Sequence, residues 1–407
     1  DRGSHRGVCA AGYMSATDSS ARRAVLAGFA IQGLTFSSIV TRLATIKDEF
    51  DLDDLDILAL LAAVAALSAV GSIVAGYAAA RWGSAPALRV GLAGVSIGSV
   101  LPGIADSLPV LVACTCVYGF FVGSVDATLN MQGVAVQDRY GRSIMTGFHA
   151  MWSVAAVVGA GYASLTIGLG WSLLVSLSVI CIVGLITNAL AGSHLLGNGV
   201  FATETGAATE RSRHHIPWVP VLLIGIPTFV MWVNDSATSV WSSIYLQDGL
   251  DAAAYAAPAA YGTYQAVLLL VRLFGDRLVG KYGATPVVRV SGWLATAALV
   301  LIVTAPSVFV VVVGFALLGG GLSLIPPLSY VAAGHLDREG GTTAIARVNV
   351  ANYVGYLVAA FGIAMSSHAW GERSMFWLPL AVIVVLPLMA RQFDTRVDAV
   401  HDGGQRR

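Results

Sequence analysis

The chain has 407 residues, of which 56% are hydrophobic and 11% charged, with a mean hydropathy of +0.75. Soluble domains carry roughly 25% charged residues, so a string of solvated domains is excluded, and so is disorder, which needs a chain poor in apolar residues. The 23 basic and 23 acidic residues balance to zero, which gives no hint of a nucleic-acid binder. A polytopic α-helical membrane protein remains.

A transmembrane helix needs roughly 20 apolar residues. Twelve apolar runs meet or approach that length, at 24–46, 57–80, 87–104, 109–133, 144–167, 171–192, 217–244, 257–275, 287–304, 308–333, 344–366 and 375–391. Membrane strands would alternate apolar and polar residues in segments of about ten, whereas these runs are continuous. The polar stretch before the first run does not read as a cleavable signal peptide. Residues 1–13 are set aside, with Met14 as the expected start. Cys114, Cys116 and Cys181 lie in apolar runs and read as small hydrophobes. With no ligand cluster beside them or beside Cys9, no metal or cofactor is expected.

Basic residues set the orientation. With the N-terminus in the cytoplasm, all but four of the 23 fall in cytoplasmic segments. The exceptions are Lys47 and Arg373 outside, and Arg42 and Arg272 within spans. That is a strong positive-inside bias. The first outer loop is acidic instead, with Asp48, Glu49, Asp51, Asp53, Asp54 and Asp56. The expected organisation is a cytoplasmic tail (1–23), a six-helix half (24–192), a cytoplasmic linker (193–216), a second half (217–392) and a cytoplasmic tail (393–407).

A repeat at an offset of 200 residues supports the division. Gly83, Pro86, Arg89 and Val90 recur as Gly283, Pro286, Arg289 and Val290, and Gly119 and Gly141 recur as Gly319 and Gly341. Two parallel halves related by an axis along the membrane normal are one of the known transporter architectures. The stretch from Gly76 through Arg81 to Gly83 resembles the loop signature of the major facilitator superfamily, a glycine, an Asp-Arg pair and a further glycine, with Ala80 at the acidic position. Gly275-Asp276-Arg277, followed by Lys281 and Gly283, keeps a displaced Asp-Arg pair. Asn130-Met131-Gln132 and Phe148-His149-Ala150-Met151-Trp152-Ser153 resemble a bacterial branch with fucose-permease-like and efflux members. The likeness runs from about 22 to 392. It implies an all-α fold of twelve transmembrane helices, alternating access, and a cavity lined by spans one, four, seven and ten.

Ionisable groups inside a membrane are costly, so each is a functional candidate. They are Arg42, Asp126, His149, Asp235, Arg272 and, at the edge, Arg347. Asp126, His149 and Asp235 are the proton-coupling candidates. For Asp126 the bland alternative is a fixed charge paired with Arg347 or His149, for His149 a single packing hydrogen bond, and for Asp235 a solvated cavity wall. Counted along the runs at 1.5 Å per residue, Asp126 lies about 10 Å from the cytoplasmic end. Arg42 and Asp235 share a level near the outer side, about 27 Å in, which predicts a gate pair. Arg42 is otherwise a clamp for an anionic group or a snorkelling side chain. Arg272 precedes Asp276 by four residues and reads as a local helical pair.

The substrate-binding candidates are Arg42, Gln32, Asn130, Trp232, Asn234, Gln265, Tyr330, Asn349 and Asn352. The same residue types also join membrane helices. Gating candidates are Arg42 and Asp235, the Pro326-Pro327 bend beyond Gly319, Gly320 and Gly321, and the loop residues Arg81 and Arg277.

No phosphate loop is present, so ATP-driven transport is not expected, and an enzyme is not expected because Asp126 and Asp235 lie too far apart in depth to form a catalytic pair. The expected protein is a monomeric, proton-coupled secondary transporter of a small organic solute, multi-pass in a bacterial inner membrane with both termini cytoplasmic. Efflux is favoured because no single span is densely polar. Uptake of a sugar-like solute is the alternative, and a transport-dead sensor on the same fold is another.

Overall fold

The computed structural model describes residues 16–52, 54–197, 218–252, 258–336 and 342–393. The expected tails for the most part, the linker from 198 onward, Arg338 and Gly341 lie outside the described residues.

Among the described residues every element is a helix or turn. The first half holds α1 (Ala16–Val40) and its short continuation α2 (Leu43–Glu49), α3 (Asp54–Trp82), α4 (Ser84–Val100), α5 (Leu108–Tyr140), α6 (Met145–Gly168) and α7 (Leu173–Ala191). The second holds α8 (Trp218–Leu250), α9 (Pro258–Tyr282), α10 (Ala284–Thr304), α11 (Val308–Leu322) continued by α12 (Ile325–Leu336), α13 (Thr342–Trp370), and α14 (Trp377–Ile383) continued by α15 (Val385–Leu388). These are the twelve expected spans. Ten of the helical segments described are long and apolar enough to cross a membrane. The two that fall short have visible reasons. Tyr261, Tyr264, Gln265 and Arg272 dilute α9, and Pro387 cannot donate the bond that would carry α14 past Val384.

The repeat is structural. Gly83 (φ 95°, ψ 154°) and Gly283 (φ 83°, ψ 163°) each sit between two spans, at the N-cap of α4 and of α10. That backbone region is essentially glycine-only. Gly83→Ala or Gly283→Ala should therefore cost about 1–3 kcal/mol, read as a lower midpoint in thermal unfolding of the purified protein. An equal midpoint would show that the turn relaxes freely. Gly119 lets α5 meet α3: a Cβ there would lie 2.7 Å from the Val64 carbonyl oxygen. Gly319 lets α11 meet α9 in the same way, at 2.2 Å from the carbonyl oxygen of Tyr264. Residues 64 and 264 keep the same offset.

Two spans are interrupted. The first breaks at Thr41–Arg42 and the tenth at Ser323–Leu324. The expected bend in span ten thus falls between the glycine run and the proline pair. Pro326 and Pro327 occupy the first turn of α12, where backbone N–H groups lack helical partners in any case.

The end of the bundle that carries Ala16, Tyr140 and Tyr282 is the inner end in the orientation expected from the basic residues. There Arg139 pairs with Asp18 at 3.6 Å within the first half, and His335 approaches Asp138 at 3.6 Å across the halves. Between the halves α13 packs on α3 and α5, and α9 packs on α6.

Candidate functional site

The site begins at Asp126. Helix α5 runs on to Tyr140, beyond the apolar run, because its last turns are polar and project past the apolar layer. Asp126 therefore lies about 21 Å from that end, near the middle of the helix, which corrects the shallower depth expected from the apolar run. Its carboxylate accepts a hydrogen bond from the Gln32 side-chain amide of α1 on one oxygen and from the Tyr353 hydroxyl of α13 on the other. One donor comes from each half.

One turn along, the Asn130 amide donates to the Asp126 carbonyl at 2.7 Å, and its Oδ1 faces His149 Nε2 at 3.2 Å. The His149 ring lies against Phe29, with centroids 5.2 Å apart, and stacks on Tyr330 at 6.0 Å, near parallel at 10°. Tyr330 donates to Asn349 Oδ1 at 2.5 Å and accepts from Asn352 Nδ2 at 2.6 Å. Asn349 donates to Ser72 Oγ at 3.2 Å, and Ser72 donates to the Ala346 carbonyl at 3.1 Å, both across the halves.

In the second half the Tyr264 hydroxyl donates to Asp235 at 2.6 Å. Gln265 donates to the Tyr261 hydroxyl at 2.5 Å. Arg272 is 7% exposed. Its Nε donates to the Ser323 carbonyl at 3.2 Å, at the break in span ten, and its Nη1 donates to Ser153 Oγ of α6 at 2.8 Å. Ser153 in turn donates to the His149 carbonyl at 3.2 Å.

The offset of 200 pairs these positions. Gln32 stands opposite Trp232, Ser72 opposite Arg272, Asn130 opposite Tyr330, His149 opposite Asn349, and Ser153 opposite Tyr353. The Asn130–His149 contact is thus the counterpart of the Tyr330–Asn349 hydrogen bond. Two repeats with similar backbones carry different chemistry at equivalent places. The acid Asp126 stands where the other half has Pro326, and the guanidinium of Arg272 where the first half has a serine.

Several expectations change. Arg42 does not meet Asp235. It caps the break after α1 and is 2% exposed. It donates to the Thr166 hydroxyl at 2.8 Å and to the Trp171 carbonyl at 3.3 Å, both within its own half. Asp235 is the eighteenth residue of α8, about 26 Å from its inner start, whereas Arg42 lies about 39 Å from the start of α1 at Ala16, so the two are not at one level. Arg272 does not pair with Asp276, which faces the other half. Arg347 lies over the Trp218 ring at 4.2 Å, whereas the carboxylate of Asp126 is held by Gln32 and Tyr353. Asn234 turns its amide onto its own helix, donating to the Val230 carbonyl at 2.8 Å. Trp232 Nε1 is enclosed without a hydrogen-bond partner among the described residues. Arg81 and Arg277 are exposed near the inner ends of α3 and α9.

Asp276, at that end of α9, accepts from Ser143 Oγ at 2.8 Å and from the backbone N–H groups of Thr146 at 3.1 Å and Gly147 at 2.9 Å. These lie at the N-terminus of α6, where unpaired N–H groups and the helix dipole favour a carboxylate. Sequence inspection missed this cap, although the displaced Asp-Arg pair pointed to the residue. The cross-half bonds named here run from mid-depth to the inner end.

A family model described as Major Facilitator Superfamily matches residues 25–285. An uncharacterised transporter, y4wD, of Sinorhizobium fredii is 26% identical over 380 residues, which covers 91% of this chain and 98% of the relative. Among solved structures, FucP, a transporter of the same superfamily in the outward conformation, superposes with a TM-score of 0.74 at 12% identity, over 91% of this chain and 98% of FucP. The proton:xylose symporter XylE superposes with a TM-score of 0.72 at 13% identity, over 94% of this chain and 96% of XylE.

Proposed function

Since the chain belongs to the major facilitator superfamily, and is a transporter rather than an enzyme, we propose that it couples proton movement to transport of a small polar solute by alternating access. It does so in a bacterial inner membrane, with the inner end in the cytoplasm. The observation that carries this reading is the Asp126 carboxylate, bonded by Gln32 from one half and by Tyr353 from the other. An ionised carboxylate only accepts hydrogen bonds, whereas a protonated one also donates. Loading a proton therefore costs the site part of its acceptor capacity, at a bond that spans the seam. Proton state and closure of the inner end are linked through one group.

The cross-half bonds from mid-depth inward support an outward-facing state, in keeping with the outward conformation of FucP. The solute class follows from the polar groups. The absence of a densely polar span favours efflux of an amphipathic compound when each span is taken alone. The site instead draws its amides, hydroxyls and acids from α1, α3, α5, α6, α8, α9, α12 and α13 together. Such a set suits paired hydrogen bonds to a hydroxylated solute, which favours uptake.

Proteoliposomes made acidic outside test the proposal. A labelled hexose-sized polar solute should accumulate above its outside concentration, and a protonophore should abolish the accumulation. Equilibration without accumulation, unaffected by the protonophore, would remove proton coupling. No flux at all across a panel of such solutes would favour the sensor reading.

A further inference from the structure

We propose that the solute is an anion, a small hydroxylated carboxylate, and that Arg272 binds its carboxylate group. This rests on the transport reading above and names its solute class.

Arg272 is a permanent charge on a membrane-spanning helix, at the seam between the halves. Both of its hydrogen bonds go to neutral oxygens, the Ser323 carbonyl and the Ser153 hydroxyl. Among the described residues no carboxylate forms an ion pair with it. The acid within electrostatic reach is Asp235, which accepts from the Tyr264 hydroxyl instead. Of the five N–H groups on a guanidinium, two are occupied, which leaves three without a partner among the described residues. Guanidinium N–H groups are strong, charge-assisted donors to a carboxylate.

The alternative is a structural role, with Arg272 tying the broken span ten and α6 together. The repeat argues against that as its whole purpose. The equivalent position in the first half is Ser72, which bridges to the Ala346 carbonyl and to Asn349 with one hydroxyl. A neutral side chain is enough to bridge the halves there. A guanidinium adds a charge and donors that a bridge between the halves does not require.

Placement supports the same reading. Arg272 donates to Ser153 of α6 and shares α9 with the polar stripe of Tyr261, Tyr264 and Gln265. Tyr261, Tyr264 and Gln265 lie two to three turns from Arg272 on that helix, about 10–16 Å away. A carboxylate held at Arg272 would leave the hydroxylated body of the solute directed along this stripe. Because Arg272 reaches Ser153 in the opposite half, a solute on its remaining N–H groups would sit where both halves can close on it.

Calorimetry on the purified full chain, with no proton gradient, tests this with matched pairs: D-glucuronate against D-glucose, D-galacturonate against D-galactose, and D-gluconate against D-glucitol. At least one acid should bind while its neutral partner does not. Arg272→Gln should weaken that acid roughly 100-fold, the loss of two charge-assisted bonds. Arg272→Lys, which keeps a cation and a donor for Ser153, should weaken it only about tenfold. The unliganded melting temperature of each variant separates lost binding from lost folding, and restored binding in the lysine variant assigns the effect to charge. Two outcomes overturn the proposal: a neutral compound that binds as well as its acid partner, or an acid whose affinity survives Arg272→Gln. Either would leave proton-coupled transport standing, because that reading depends on Asp126 and on flux under a gradient.

Discussion

Asp126→Asn should abolish accumulation of solute against a gradient while leaving exchange of labelled for unlabelled solute across the bilayer. Asparagine keeps an oxygen that can accept from Tyr353 or Gln32, so the helices α1, α5 and α13 can stay joined. It cannot take up or release a proton. Each pH unit across the membrane is worth about 1.4 kcal/mol per proton, enough for a tenfold concentration ratio if one proton moves with one solute. Without coupling that ratio falls to one. Exchange needs only reorientation of the loaded carrier, so it should persist at a similar rate. Proteoliposomes with an imposed pH gradient read both quantities in one preparation. Unchanged accumulation in the variant would move the coupling role elsewhere, with Asp235 next in line because its carboxylate is held by the Tyr264 hydroxyl. Tyr353→Phe provides a second reading. It keeps the acid titratable but removes the donor from the opposite half, so it should preserve some coupling and loosen the closed inner end.

The fold was largely legible in the sequence because its two strongest signals are physical. Long apolar runs with few charges admit one class of structure. The glycines at 83 and 283 recur because two equivalent turns need a backbone conformation other residues avoid. Depth was harder to read. Apolar runs stop where the bilayer stops, but helices continue through polar turns, as α5 does to Tyr140 and α8 to Leu250. The inner extension of α5 placed Asp126 deeper than expected, and the earlier start of α1, at Ala16, moved Arg42 to about 39 Å from that end, outward of Asp235 at about 26 Å. The local rule for oppositely charged residues four apart misled at Arg272 and Asp276. Both satisfy the spacing, yet each is turned to the other half, Arg272 to Ser153 and Asp276 to the N-terminus of α6. Only the tertiary arrangement decides between a neighbour on the same helix and a partner across a seam. The offset of 200 reaches further than the glycine turns. Among the polar residues it pairs His149 with Asn349 and Arg272 with Ser72, and so marks the places where two similar backbones carry unlike chemistry.

Asp276→Ala should shift the protein away from the closed inner end. The carboxylate takes three hydrogen bonds at the start of α6, one from the Ser143 hydroxyl and two from backbone N–H groups. A cap of this kind is worth about 1 kcal/mol, and a carboxylate at a helix N-terminus adds about 0.3–1 kcal/mol. These terms exist only while α9 and α6 are together, so losing them changes the balance between conformations by roughly tenfold or more. The first half cannot supply a matching carboxylate cap from its signature loop, where the acidic position is Ala80. The effect should therefore not be masked by a second copy. Spin labels at the exposed positions Arg142 and Lys281, which flank this contact, should show a longer and broader distance distribution in the alanine variant. Asp276→Asn keeps one acceptor oxygen but not the charge, so its distribution should fall between those of the parent and Asp276→Ala. If all three distributions coincide, the cap stabilises α6 locally and does not hold the halves together. In that case the inner end is kept shut by the Ser72–Asn349 and Arg272–Ser153 bonds, and removing Ser72 should produce the opening that removing Asp276 does not.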